Sequence, residues 1–153
     1  MHLLQAPNAV QDWQHVYDVF AEKWHFPGCA GSVDGKHVTI QAPSNSGSYF
    51  FNYKSYHSTV LMAAVDAQYS FLAVNIGCNG RVSDDVVFAA SGIPGYLERQ
   101  LWRIVPAVPL SGRVMSLHPV VIEDEAFPLR PNLMKPYARN TENWNVTHRV
   151  FNL

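Results

Sequence analysis

At 153 residues the chain has the length of a single domain, and its 48% apolar content is enough for an ordinary core. No apolar run reaches the ~20 residues of a membrane-spanning helix, and the start lacks the basic and apolar regions of a signal peptide, so no membrane association is expected. A net charge of −1 excludes a uniformly basic nucleic-acid binder, and two cysteines, Cys29 and Cys78, are too few for a disulfide framework or a four-cysteine zinc site.

The charge is uneven. Residues 1–98 hold four Lys/Arg against eight Asp/Glu, whereas residues 99–153 hold seven against four. The basic set, Arg99, Arg103, Arg113, Arg130, Lys135, Arg139 and Arg149, can track phosphates. A solvated surface of mixed charge is the plainer reading. Asn145-Val146-Thr147 matches a glycosylation sequon, which without a signal peptide we take as chance.

Val16, Val19, Phe20 and Trp24 recur at three- to four-residue spacing and predict a helix over 11–24, with Asp12 as N-cap and Pro27-Gly28 as the stop. Next comes Gly31-Ser32-Val33-Asp34-Gly35-Lys36-His37-Val38-Thr39-Ile40, an apolar run with one acid at its centre. A carboxylate inside a strand is costly unless something cancels its charge. A divalent metal can do so, and so can Lys36 or His37. The plainer reading is an Asp-Gly turn between two short strands.

Residues 42–48 form a loop by composition. The stretch Tyr49-Phe50-Phe51-Asn52-Tyr53-Lys54-Ser55-Tyr56-His57 then packs five aromatics into nine residues. Such a segment covers a core at a strand edge, the commoner use, or stacks on bases beside Lys54 and His57. Two apolar runs, 58–66 and 71–77, are joined by Ala67-Gln68-Tyr69-Ser70 at hairpin spacing. With the Asp34 strand they predict a three-stranded antiparallel meander, covered by helices on both faces. The segment 77–85 reads as a polar loop in which Asp84 can cap a helical turn. Tyr96, Leu97, Gln100, Leu101 and Trp102 suggest a further helix, and 105–119 a set of turns.

Val120-Val121-Ile122 is a short buried strand that runs straight into Glu123-Asp124-Glu125. In sheets covered by helices, chemistry gathers at strand ends. Asp34 and Asp124 lie ninety residues apart, so no local motif joins them. Carboxylates on adjacent strands repel each other, and a divalent cation relieves this. His37 and His57 are further candidates to meet near Asp34. No nucleophile elbow, P-loop or H-E-x-x-H is present.

The chain resembles the transposase-derived DDE endonucleases of the PIF/Harbinger type. The resemblance is carried by 24–29 (WHFPGC), 31–38 (GSVDGKHV), Ser46-Gly47-Ser48, Phe51-Asn52-Tyr53-Lys54 and 61–67. It continues through 80–88 (GRVSDDVVF), Asp124-Glu125-Ala126-Phe127-Pro128-Leu129 and Met134-Lys135-Pro136-Tyr137. It implies a single α/β domain over 1–153, a ribonuclease-H-like mixed sheet with flanking helices. It also implies DNA cleavage assisted by Mg²⁺ or Mn²⁺. Asp34 matches the first catalytic acid and Asp124 the second, and Asp84 matches a family aspartate expected near the metal. The implied metal set is Asp34, Asp84 and Asp124.

Two departures stand out. Glu123 occupies a position where the family usually has glycine, and either perturbs the site or points outward. The third catalytic acid, a glutamate expected after an Phe-Asn pair, is not found, because Phe151-Asn152 is followed only by Leu153. Glu142 precedes that pair and is no substitute. The expectation is a domain incomplete at its C-terminus, with an apolar face exposed and activity in doubt. Two functions follow: a metal-dependent nuclease, or a non-catalytic domain that binds DNA or protein. A protein partner or homo-oligomer fits either. By resemblance the location is the nucleus, with the cytoplasm as the other choice.

Overall fold

The computed structural model describes residues 2–3, 7–103, 107–109 and 116–138. The sequon, Glu142, Phe151-Asn152, Arg113, Arg139 and Arg149 lie outside the described residues. In chain order the elements are β1 (His2–Leu3), α1 (Val10–Trp24), β2 (Cys29–Thr39), β3 (Ser58–Val65), β4 (Phe71–Asn79), α2 (Asp84–Ala90) and α3 (Ile93–Arg103). Four short strands follow: β5 (Val108–Pro109), β6 (Ser116–Leu117), β7 (Val120–Ile122) and β8 (Leu133–Met134).

One six-stranded sheet, ordered β1-β4-β3-β2-β7-β8, organises the molecule, with β5 and β6 paired apart from it. β2, β3 and β4 form the expected antiparallel meander. β7 runs parallel to β2, and β8 parallel to β7, so the sheet is mixed and the fold is α/β as read from the sequence. The hairpin turn is held by Asp66, whose Oδ1 accepts from the backbone N–H groups of Gln68 and Ser70, each at 2.8 Å. This is why four residues suffice between two long strands.

β2 is a strand throughout, so Asp34-Gly35 is not a turn. Its regular pairing with β3 runs from Ser32↔Val65 to Thr39↔Ser58. One face of the meander, with Val33, Val60, Met62 and Ala64, is buried. The covering is less complete than the continuous apolarity suggests, since Ile76 on β4 is exposed.

α1 buries Trp13, Val16, Tyr17 and Phe20, the i, i+3, i+4, i+7 stripe of an amphipathic helix. Val16 and Phe20 each contribute about 1.5–3 kcal/mol, whereas Trp13 Nε1 and Tyr17 OH are buried without a partner, which offsets part of their gain. Trp24 continues that stripe one turn beyond Phe20 but, as the last residue of the helix, is half-exposed. Ala9, not Asp12, is the N-cap: Asp12 lies one turn in, and its carboxylate accepts from the N–H of Ala9 at 3.0 Å and of Asn8 at 3.2 Å. The helix ends on His25 in the left-handed region (φ 54°), two residues before Pro27. Ser83 likewise takes the N-cap of α2, which leaves Asp84 as its first helical residue. α3 starts at Ile93, three residues earlier than the periodicity suggests, because Pro94 is tolerated in a first turn.

Candidate functional site

The parallel pairing of β2 with β7 sets the site. Its register is Gly31↔Val121 and Ser32↔Ile122. Carried two residues further, it places Asp34 beside Asp124. Neighbours across a sheet share a face, so both carboxylates project to the same side. Both are exposed, and both line a cleft of about 680 Å³ whose other walls include Phe20, Trp24, Phe26 and Lys135. Each acid is oriented by the backbone. Asp34 Oδ1 accepts from the Gly35 N–H at 2.7 Å, and Asp124 Oδ1 accepts from the Ala126 N–H at 2.8 Å. The second bond closes a turn and ends the strand there.

Asp84 reaches the pair from the opposite side. Side chains alternate along β2, so the side of Gly35 that would carry a Cβ faces away from Asp34. A Cβ there would fall on the Asp84 carboxylate, with its Cγ 2.6 Å away. Glycine therefore opens the gap through which Asp84 approaches the sheet. Its Oδ1 is buried and has no hydrogen-bond partner. Burial raises the Asp84 pKa, and the charges of Asp34 and Asp124 push it further the same way, against the opposing effects of His37 and Lys54.

Glu123 points inward. Its N–H donates to Met134 O at 3.0 Å, continuing the ladder beyond β7, so alternation turns its side chain to the face opposite Asp124. It is only 6% exposed, and neither carboxylate oxygen has a hydrogen-bond partner. Burial pushes its pKa up to about 7; Lys135 and Arg130 pull it down, and Asp124 adds to the rise. Nothing in the local sequence announces this buried acid, because glutamate is ordinarily a surface residue.

The two histidines have separate surroundings. His37 Nδ1 lies 2.9 Å from Ser58 Oγ, and its ring meets Tyr53 edge-on at 5.6 Å. His57 packs against Phe51 at 5.2 Å. The aromatic segment is less buried than strand-edge packing predicts: Tyr49, Phe51 and Tyr53 are all exposed.

The fold thus sets Asp34 and Asp124 along one cleft, with Asp84 on the other side of the sheet against Gly35. A set made only of carboxylate oxygens suits Mg²⁺ or Mn²⁺ rather than a soft metal. The unpartnered Asp84 oxygen, under the charges of Asp34 and Asp124, is a feature that a divalent cation relieves, so the chemistry of these residues suits such an ion. Among the described residues, however, no group of three His, Cys, Asp or Glu side chains is gathered closely enough to hold one as it stands.

Comparison with known proteins bears on these residues. Residues 33–153 match the family described as DDE superfamily endonuclease, a span that includes Asp34, Asp84 and Asp124. The chain is also similar to Protein ALP1-like of Arabidopsis thaliana, at 33% identity over 113 residues. That match covers 72% of this chain and 28% of the relative, so the chain spans under a third of that protein's length. No solved structure matches. Among the described residues no helix is long and apolar enough to cross a membrane.

Proposed function

Since the chain belongs to the DDE superfamily endonucleases, we propose that it is a divalent-metal-dependent DNA nuclease domain. Asp34 and Asp124 hold the cation, and Asp84, across β2 at Gly35, adds negative charge near it. The observation that supports this reading is that two carboxylates, each bonded by a backbone N–H, line one cleft where the β2–β7 pairing, extended two residues, would bring them together. Mg²⁺ or Mn²⁺ bound there supplies positive charge that activates water and stabilises the charge on a phosphodiester. The protein's own share is orientation. Gly35 and Ala126 fix one oxygen of each acid, and Lys135 at the cleft wall offers a cation to the phosphate backbone.

The test is nicking of supercoiled plasmid in Mg²⁺ or Mn²⁺, with metal titrated calorimetrically into the same preparations. Asp34→Asn and Asp124→Asn are each expected to lower nicking by at least about a hundredfold and to weaken metal binding. Nicking unchanged in both variants would overturn the proposal. A DNA-directed activity belongs in the nucleus, which fractionation of tagged protein checks.

The separation of the acids supports a second reading. With no three ligands gathered at one point among the described residues, the domain instead binds DNA or a protein partner without cutting. Binding that survives EDTA and Asp34→Asn, with no nicking by the wild type, would favour it.

A further inference from the structure

Between Gly35 and Asp66 the chain carries no Asp or Glu, yet it holds Lys36, Lys54, His37 and His57. With its two lysines the segment is net positive in a half of the chain that is otherwise acidic. At its centre residues 51–57 form a small finger at the end of the β2–β3 pair. It is closed by an isolated antiparallel bridge between Phe51 and His57, and by the Ile40 N–H donating to His57 O at 3.0 Å.

The finger is rigidly built from inside. Asn52 is buried. Its Oδ1 accepts from the Lys54 N–H at 2.9 Å and the Tyr56 N–H at 3.2 Å, and its Nδ2 donates to Ser58 Oγ at 2.8 Å. Ser55 takes the left-handed conformation (φ 64°) that the tight turn requires. What this scaffold presents outward is Tyr53, 79% exposed, with Lys54 Nζ 5.3 Å from its ring centroid. Exposing so large a ring on a fixed turn forgoes the burial that aromatics ordinarily provide. The finger also adjoins the acids: Tyr53 packs on His37, two residues along β2 from Gly35, and Lys54 lies within electrostatic reach of Asp84.

We infer that the Tyr53–Lys54 finger is a stacking platform for an unpaired nucleotide of DNA, placed beside the acid site. The inference rests on the DNA-directed reading above. A π-face accepts any base, whereas a paired base in a duplex offers no free face, so the platform selects strand state rather than sequence. The neighbouring ammonium of Lys54 answers the phosphate of the same nucleotide. Because Asn52 holds the turn in advance, binding loses little conformational freedom.

Fluorescence anisotropy tests this with a labelled oligothymidylate and a blunt duplex, both in EDTA. Tyr53→Ala is expected to weaken single-strand binding roughly tenfold, with duplex binding changed by less than about twofold. Tyr53→Phe, which keeps the ring, should restore the wild-type value, and thermal melts confirm that the exposed substitutions leave the fold intact. Single-strand binding that is undetectable in the wild type, or indifferent to Tyr53→Ala, overturns the inference, as it would if this surface received a protein instead. The two proposals fail separately. Asp34-dependent nicking together with single-strand binding indifferent to Tyr53→Ala refutes the platform alone, and Tyr53-dependent single-strand binding without metal-dependent nicking refutes the nuclease alone.

Discussion

Four carboxylates gather around the middle of β2 and the end of β7, two on each face of the sheet. Asp34 and Asp124 stand at the cleft walled by Phe20 and Trp24 of α1. They are solvated and oriented by backbone N–H groups. Asp84 and Glu123 stand on the opposite face, with oxygens that are buried and unpartnered and with pKa values raised first by burial. The contrast shows how one sheet can prepare two kinds of acid from the same chemistry. Burial without a partner favours the proton at Asp84 and Glu123.

The sharpest way to break this arrangement is at Gly35, which separates the faces. Gly35→Ala drives a methyl onto the Asp84 carboxylate. It is expected to cost about 1–3 kcal/mol in urea unfolding and to weaken metal binding without touching Asp34 or Asp124. An unchanged midpoint and unchanged metal affinity would mean that Asp84 does not depend on the gap.

Glu123 offers the next effect in size. Its ordinary pKa of 4.5 rises to about 7 in the folded chain, so between those values the folded state holds a proton that the unfolded state has lost. Its contribution to stability is full below the unfolded value and disappears as pH rises through about 7. Thermal melts in EDTA should therefore show stability falling from about pH 5 to about pH 8, by up to about 2 kcal/mol. Glu123→Gln should flatten that slope. A wild type equally stable across the range would place Glu123 with the solvated acids.

The smallest effect is electrostatic. Asp34 helps to raise the Asp84 pKa, so Asp34→Asn should lower it, as read by carboxyl-carbon NMR titration. No movement would show that the two faces do not sense each other.

The meander and the strand that ends in acids were legible in the sequence for a physical reason: long apolar runs and a four-residue turn are local signals. The pairing of β2 with β7, which makes Asp34 and Asp124 a site, joins residues ninety positions apart. Only the resemblance to a family foretold it. β1 and β8, two residues each, exist through their partners and carry no periodicity of their own. Asp12 was misplaced as a cap because a carboxylate can bond backward from the first turn as well as forward from the cap. The exposed rings of residues 49–53 were read first as packing, since aromatic-rich runs normally are.

The corner where α1 ends has a consequence of a different kind. Lys23 Nζ and Trp24 Nε1 both donate to Ala67 O in the hairpin turn, at 3.2 and 3.0 Å, and Lys23 also lies 5.4 Å from the Trp24 ring centroid. The indole is thus pinned in place, half in water, on the wall of the cleft that holds Asp34 and Asp124. Trp13 is wholly buried. Filling the cleft changes the medium around Trp24 and should shift its share of the emission, which with Trp102 and Trp144 each replaced by phenylalanine serves as an optical gauge with no label attached.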